Sequence, residues 1–356
     1  MKSHFDSRRT VALAVVLVAG LSLVVAFPAR AAVPFSVGDV FAAIGNSQVK
    51  HFSPTGTLLE TLNDTTGTSF TAGMCFDTAG NLYVTNFDAN SISKFNNTGT
   101  LVAANYISAI ATHPESCVFD TAGNQYVGTA DAPKIYKYSS TGTPITSYTI
   151  IPDARGADWI DLSADQCTMF YTSEGTKIKR FDVCANTQLS DFATGLTGPM
   201  FSFRILPGGG VLVAQTSQVQ MLNSSGTPTA TYTATGGTTL FALNRDPNGT
   251  QFWTGDLNNG NVYRFNISPA GNQAPLFNAG ISTALGGLAI FGELVVSQPT
   301  PTPTGTVIPA TATPTNTPTR TNTPVGPPAV VPTLSFPMLG LLCLALMGAG
   351  LLLIRR

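Results

Sequence analysis

Through the middle of the chain, apolar and polar positions alternate in short runs. Leu82 and Val84 form one such run, and Ile92, Lys94 and Phe95 belong to the next, with clusters of Gly, Asn, Asp and Thr between them. A period of two marks strands with one buried face, and the separating residues are turn formers, so the pattern predicts short antiparallel strands. The pattern also recurs. MCFDTAGNLYVTNFDANSISKFNNTGTLVAANY, from Met74, returns as CVFDTAGNQYVGTADAPKIYKYSSTGTPITSYT, from Cys117, with Asp77 and Asp120 43 positions apart. Further copies begin at Ile160, Phe203 and Leu243. Gly80, Gly123, Gly209 and Gly249 hold the turn between first and second strands, and Gln166 stands there in the third copy.

Four strands in a repeat of this length make a blade of a β-propeller, and the long stretches of period 3.6 that helical repeats need are missing. The predicted fold class is therefore all-β. Residues 38–62 match only the second to fourth strands of a repeat, and 286–296 supply a first strand. Joined, they make a sixth blade from both ends of the body, 32–297, a closure that removes the exposed edges of the ring.

The repeats resemble NHL-type propeller repeats and, more loosely, the six-bladed SMP-30/gluconolactonase and virginiamycin B lyase group. The resemblance spans the body. It is carried by the D-x-x-G-N-hydrophobic-Tyr-Val core (Asp77, Gly80, Asn81, Tyr83, Val84; Asp120, Gly123, Asn124, Tyr126, Val127) and by the later pairs Lys94-Phe95, Lys137-Tyr138, Arg180-Phe181 and Arg264-Phe265. A structural reading accounts for most of these residues, since Asp and Gly make the turn and the aromatics fill the space between blades.

The two hydrophobic ends lie outside this pattern. Residues 1–31 have a basic start (Lys2, Arg8, Arg9), an apolar run from Val11 to Phe27 and an Ala29-Arg30-Ala31 cleavage site, which reads as a secretory signal peptide. Residues 298–333 contain 22 Pro or Thr among 36 and read as a disordered, extended stalk without a core. Phe336 to Ile354 carries no charge and precedes Arg355-Arg356, as expected of one transmembrane helix with a cytoplasmic C-terminus. Val331, Pro332, Thr333, Leu334 and Ser335, with the helix behind them, resemble the sorting signals of IPTL-type bacterial envelope proteins, relatives of the PEP type. The resemblance makes 334–356 a sorting segment and implies a protease of the exosortase kind as a partner.

Charge and cysteine content narrow the function. The chain is formally −1, but most of the end residues that are charged are basic, so 33–297 has 11 basic against 18 acidic residues. Without a Lys/Arg cluster such a body does not bind nucleic acid. Four cysteines lie in the body, which the signal peptide would deliver to an oxidising compartment. Cys167 and Cys184 flank the second and third strands of one blade, roughly opposite each other about the Ser173-Glu174-Gly175 turn, and are expected to form a disulfide. Cys75 and Cys117 are one residue out of phase relative to Asp77 and Asp120. That shift is expected to turn their side chains to opposite faces and keep them apart.

Candidate chemistry is sparse. The three histidines make no catalytic set with Ser, Cys or Asp: His4 lies in the signal peptide, His51 on a strand and His113 before a proline. The channel mouth is expected to gather His113, Glu115, Arg155, Asp158, Asp161 and Arg204, with Asn86, Asp88, Glu174, Asp256 and Asn258 on the loops between second and third strands. Asp161 and Arg204 occupy equivalent positions in adjacent blades, which reads as an ion pair across the channel. Glu115 resembles the Glu that opens a metal site in gluconolactonase-like propellers, and Asp158 is its repeat equivalent. The resemblance thus implies Ca²⁺ as a cofactor held by hard oxygens, although the other copies place Ala72, Phe201 and Phe241 at that position.

The leading expectation is an exported, membrane-tethered surface protein whose propeller binds a protein or glycan partner and catalyses nothing. A Ca²⁺-dependent hydrolase or lyase is the alternative, and a structural envelope or matrix component a third.

Overall fold

The structure is a computed structural model and describes residues 33–293. The signal-peptide, stalk, transmembrane and sorting-signal expectations, including Val331 to Ser335, fall outside those residues. Among the described residues there are only strands and loops, and no helix is long and apolar enough to cross a membrane.

Six sheets form a six-bladed propeller. We number the blades from the first complete repeat, so that blade six is the one built from both ends. Their innermost strands, in order from blade one, are Thr71–Phe76, Pro114–Phe119, Trp159–Leu162, Phe203–Ile205, Leu240–Arg245 and Gly287–Ile290. Gly287–Ile290 pairs antiparallel with Val40–Gly45, matching Ile290 to Val40 and Gly287 to Ala43. The ring is thus closed by strands from both ends of the body, as the incomplete first and last repeats predict. Blade four departs from the simple scheme. Asn272–Gln273, between the last two strands of blade five, adds in parallel to its outer strand Pro228–Ala234.

The repeat signature has a local cause in each copy. Asp77 accepts hydrogen bonds from the backbone of Ala79 and Asn81, from the Asn81 amide and from the Tyr83 hydroxyl. Asp120 repeats the first three of these contacts in blade two. The tight turn needs a left-handed residue, with φ +80° at Gly80 and +81° at Gly123, and Gln166 adopts φ +60° at the same place in blade three. The later Lys/Arg positions lie beside the aromatic of the neighbouring strand. Lys94 pairs with Tyr83, Lys137 with Tyr126 and Arg264 with Trp253, each cation about 5 Å from the ring centre. Tyr83, Tyr126, Tyr171, Trp253 and Tyr263 are fully buried, which supplies the large apolar contacts that fix each sheet against the next.

Two disulfides are formed among the described residues. Cys167–Cys184 clamps blade three, with 5.2 Å between Cα atoms. Cys75–Cys117, with 5.7 Å between Cα atoms, joins the innermost strands of blades one and two and overturns the expectation that these thiols stay apart. The reason is geometric. Adjacent blades are stacked face to face, so a contact between them joins opposite faces of two equivalent sheets. The one-residue shift between Cys75 and Cys117 is what aims them at each other.

Candidate functional site

The innermost strands run from a loop-bearing face to the face that carries the Asp-Gly turns, and the channel has a different character at each end. At the loop face, Glu115 is the second residue of the inner strand of blade two and Asp158 immediately precedes that of blade three. Both are 1% exposed. Neither oxygen of Asp158 has a hydrogen-bond partner among the described residues, nor does Oε2 of Glu115. Burial, then the charge of Glu174, pushes the Glu115 carboxyl up to about 8. Burial, then the charge of Glu115, pushes Asp158 up to about 9, with Arg155 opposing both.

Above this pair runs a chain of charges on loops from blades two and three. His113 Nδ1 contacts Asp131, whose other oxygen accepts from Arg155 Nη2 at 2.9 Å, and Arg155 Nη1 donates to Glu174 at 3.1 Å. Ser173 Oγ accepts from the backbone NH groups of Asp153, Ala154 and Arg155 and fixes the loop that presents the guanidinium. The His113 ring lies parallel to Phe87, 4.3 Å between centres. Arg155 first, then His113, holds the Asp131 carboxyl below its ordinary range.

Aromatic rings close the channel beneath these loops. Phe241 of blade five meets Phe70 of blade one at 6.2 Å, Trp159 of blade three at 5.6 Å and Phe201 of blade four at 5.3 Å. Asp88 and Asp256 also lie at this face, as loop clamps. Asp88 accepts from Ser69 and the Phe70 NH, and buried Asp256 accepts from the NH groups of Thr238, Thr239 and Asn258.

Asp161 and Arg204 are at the opposite end, which corrects their assignment to the same mouth as Glu115. Both lie near the C-terminal ends of their strands, and side chains there face the Asp-Gly turns rather than the loops. They also do not form the expected ion pair. Arg204 Nε donates to Glu293 at 2.9 Å and Nη1 to the Phe203 carbonyl at 3.0 Å, while Asp161 accepts from the backbone NH of Leu162 at 3.0 Å and of Ile205 at 2.9 Å. Burial pushes Asp161 up to about 6 against the pull of Arg204. These side chains sit at the base of a cavity of about 450 Å³ whose rim includes the turns at Asp77 to Gly80 and at Asp120 and Thr121. The wall includes both cysteines of the Cys75–Cys117 disulfide. The sequence reading missed both the cavity and Glu293. Glu293 lies beyond the last strand and shows no repeat signal, whereas the cavity residues recur at the ends of successive inner strands.

No protein-family model matches the sequence, and no curated protein matches it. Among solved structures, the chain resembles one in a structure described as the crystal structure of a nidogen/laminin complex. The TM-score is 0.57 at 14% identity, over 73% of this chain and 99% of that one. At that identity the likeness is one of fold, and it agrees with the six-bladed ring.

Proposed function

We propose that this chain is an exported propeller of the NHL-like kind, displayed on the Pro/Thr segment 298–333 and held to a membrane by 336–354, and that its loop face binds a protein partner. The observation that carries the reading is the aromatic closure of that end of the channel beneath the charged line His113–Asp131–Arg155–Glu174. A closed face rimmed by charges offers a partner's surface contacts and a register, but gives a small substrate no depth to enter. The fold likeness to a chain in a nidogen/laminin complex supports a protein over a glycan, because that chain's structure is described as a protein assembly. Two disulfides accord with export. Sorting by an exosortase-like protease at Val331 to Ser335 belongs to the same proposal.

The test is site-specific photo-crosslinking with the full-length chain expressed in a bacterial host. A photoreactive residue at Glu174 is expected to trap a partner on the cell surface, and one at Asp161 is not. Crosslinks only from Asp161, or a chain whose cysteines stay reduced and unreachable from outside, would overturn the reading.

A Ca²⁺-dependent hydrolase or lyase is a second reading, favoured by the buried, unpartnered oxygens of Glu115 and Asp158. The donor set falls short of the ion. Calcium takes six to eight oxygens, two carboxylates offer at most four, and Ala72, Phe201 and Phe241 stand at the equivalent positions. No group of three or more acidic, histidine or cysteine donors placed to hold a metal ion occurs among the described residues. We therefore derive no catalytic step through the ion. A stoichiometric calcium site in calorimetry, lost in Glu115→Ala, would restore this reading.

A further inference from the structure

We propose that the cavity at the Asp-Gly-turn end is a binding site for a small organic amine with an apolar body of one or two rings. The volume, about 450 Å³, lies within the usual range for a ligand of that size. Its walls are largely apolar, with Met74, Phe76, Val118, Phe119, Ile160 and Ile205 among them, so the body of the ligand leaves water on entering.

The charges decide the head group. Four acids line the cavity, Asp77, Asp120, Asp161 and Glu293, against one base, Arg204. Lys137, paired with Asp120, and Arg245, whose charge acts on Glu293 and Asp161, bring the nearby bases to three and leave the four acids in excess by one. The acids differ in how far they are already engaged. Asp77 and Asp120 are tied into their turns, and Glu293 accepts from Arg204, the Asn244 amide and the Arg245 NH. Among the described residues, Asp161 accepts from two backbone NH groups and has no cation within hydrogen-bonding distance, although the charges of Arg204 and Arg245 act on it from further away. Each of its oxygens keeps a lone pair, which fits an ammonium group. Arg204 is turned to Glu293 and the Phe203 carbonyl, so it does not present a free fork to a carboxylate ligand. Phe76 and Phe291, edge to face at 5.1 Å, add ring surface that a cation favours and an anion does not.

The site is independent of the loop face and of any partner bound there. It is tested with three probes that share a body and differ in the head: 2-phenylethylamine, 2-phenylethanol and 3-phenylpropionate. Each is titrated into the full-length chain, purified in mild detergent, by calorimetry and ligand-observed NMR. The amine is expected to bind about ten-fold or more tightly than the other two, the difference one charge-assisted hydrogen bond makes. Asp161→Asn is expected to erase that preference and leave alcohol binding unchanged. Thr78→Lys, at an exposed rim position, should weaken the amine alone, so the proposal stays testable if Asp161→Asn does not fold. Lys50→Met, outside the cavity lining, should change none of the three. The proposal is overturned if no probe binds, if the alcohol or the acid matches the amine, or if the preference survives both Asp161→Asn and Thr78→Lys.

Discussion

The two ends of the channel use the same inner strands and solve opposite problems. At the loop face, rings from four blades meet, and three of the four carboxyl oxygens of buried Glu115 and Asp158 have no hydrogen-bond partner among the described residues. At the turn face the strands leave a cavity, and its charged groups are partly exposed to it and hydrogen-bonded. The difference shows where each end keeps its electrostatic strain. The closed end holds it in buried acids whose titration burial and mutual charge push up, while the open end relieves it through Glu293 and the backbone.

Four changes would break or sharpen this contrast, and the first concerns the covalent wall of the open end. Replacing Cys75 and Cys117 with Ser is expected to cost about 4 kcal/mol, and replacing Cys167 and Cys184 about 3 kcal/mol, because the first pair closes 42 residues and the second 17. Denaturant unfolding of the two variants gives the order. Equal losses would mean that the bond between blades adds nothing beyond a clamp within one blade.

The second concerns pH at the closed end. Glu115 and Asp158 keep their protons in the folded chain after the unfolded chain has lost them. Their stabilising effect is therefore complete below about pH 4 and is lost as pH rises toward about 8 and 9, by at most about 1.4 kcal/mol per pH unit for each group. Asp158→Asn should flatten that decline and be more stable than the parent at pH 8, as read from melting curves. An unchanged slope would remove the buried pair from the account. At the open end Asp161 gives a shorter decline, finished shortly above its value of about 6, so the two ends separate on one pH axis.

Third, Arg155→Met should remove the ion pairs of Arg155 with Asp131 and Glu174 and lower stability by about 1 kcal/mol, the scale of partly exposed pairs. A larger loss would place Arg155 among the groups that compensate the buried acids. The smallest effect is expected from Lys50→Met, on the strand Gln48–Phe52 of blade six, which gives up hydrogen bonds to the Ala279 and Gly280 carbonyls. It should cost about 1 kcal/mol or less, with the pH profile unchanged.

Much of the ring was legible because its causes are local. Asp77, Gly80 and Asn81 make their turn with their immediate neighbours, and Lys94 and Tyr83 meet across one hairpin, so a repeat in the sequence is a repeat in space. The placement of Glu115 and Asp158 at one end followed for the same reason. What was misread depends on how blades meet. The phase rule that separated Cys75 from Cys117 holds within a sheet and reverses between stacked sheets. Asp161 and Arg204 were assigned to the wrong end because a few positions along a short inner strand carry a side chain from one face of the ring to the other. Glu293 and the strand Asn272–Gln273 belong to no repeat, and only the closed ring shows what they touch.

The closing pair of strands also imposes an order in time. As the chain is made, the sheet Val40–Gly45, Gln48–Phe52 and Leu58–Asn63 forms among the first, yet the backbone edge from Val40 to Ala43 waits for Gly287–Ile290, the last strand of the body. Until that strand is synthesised, the edge is an open template for any other extended segment, including the same edge of a second nascent chain. Folding yield should therefore fall as synthesis becomes more crowded, and a short peptide copying Gly287–Ile290 should compete for the edge only before the chain is complete.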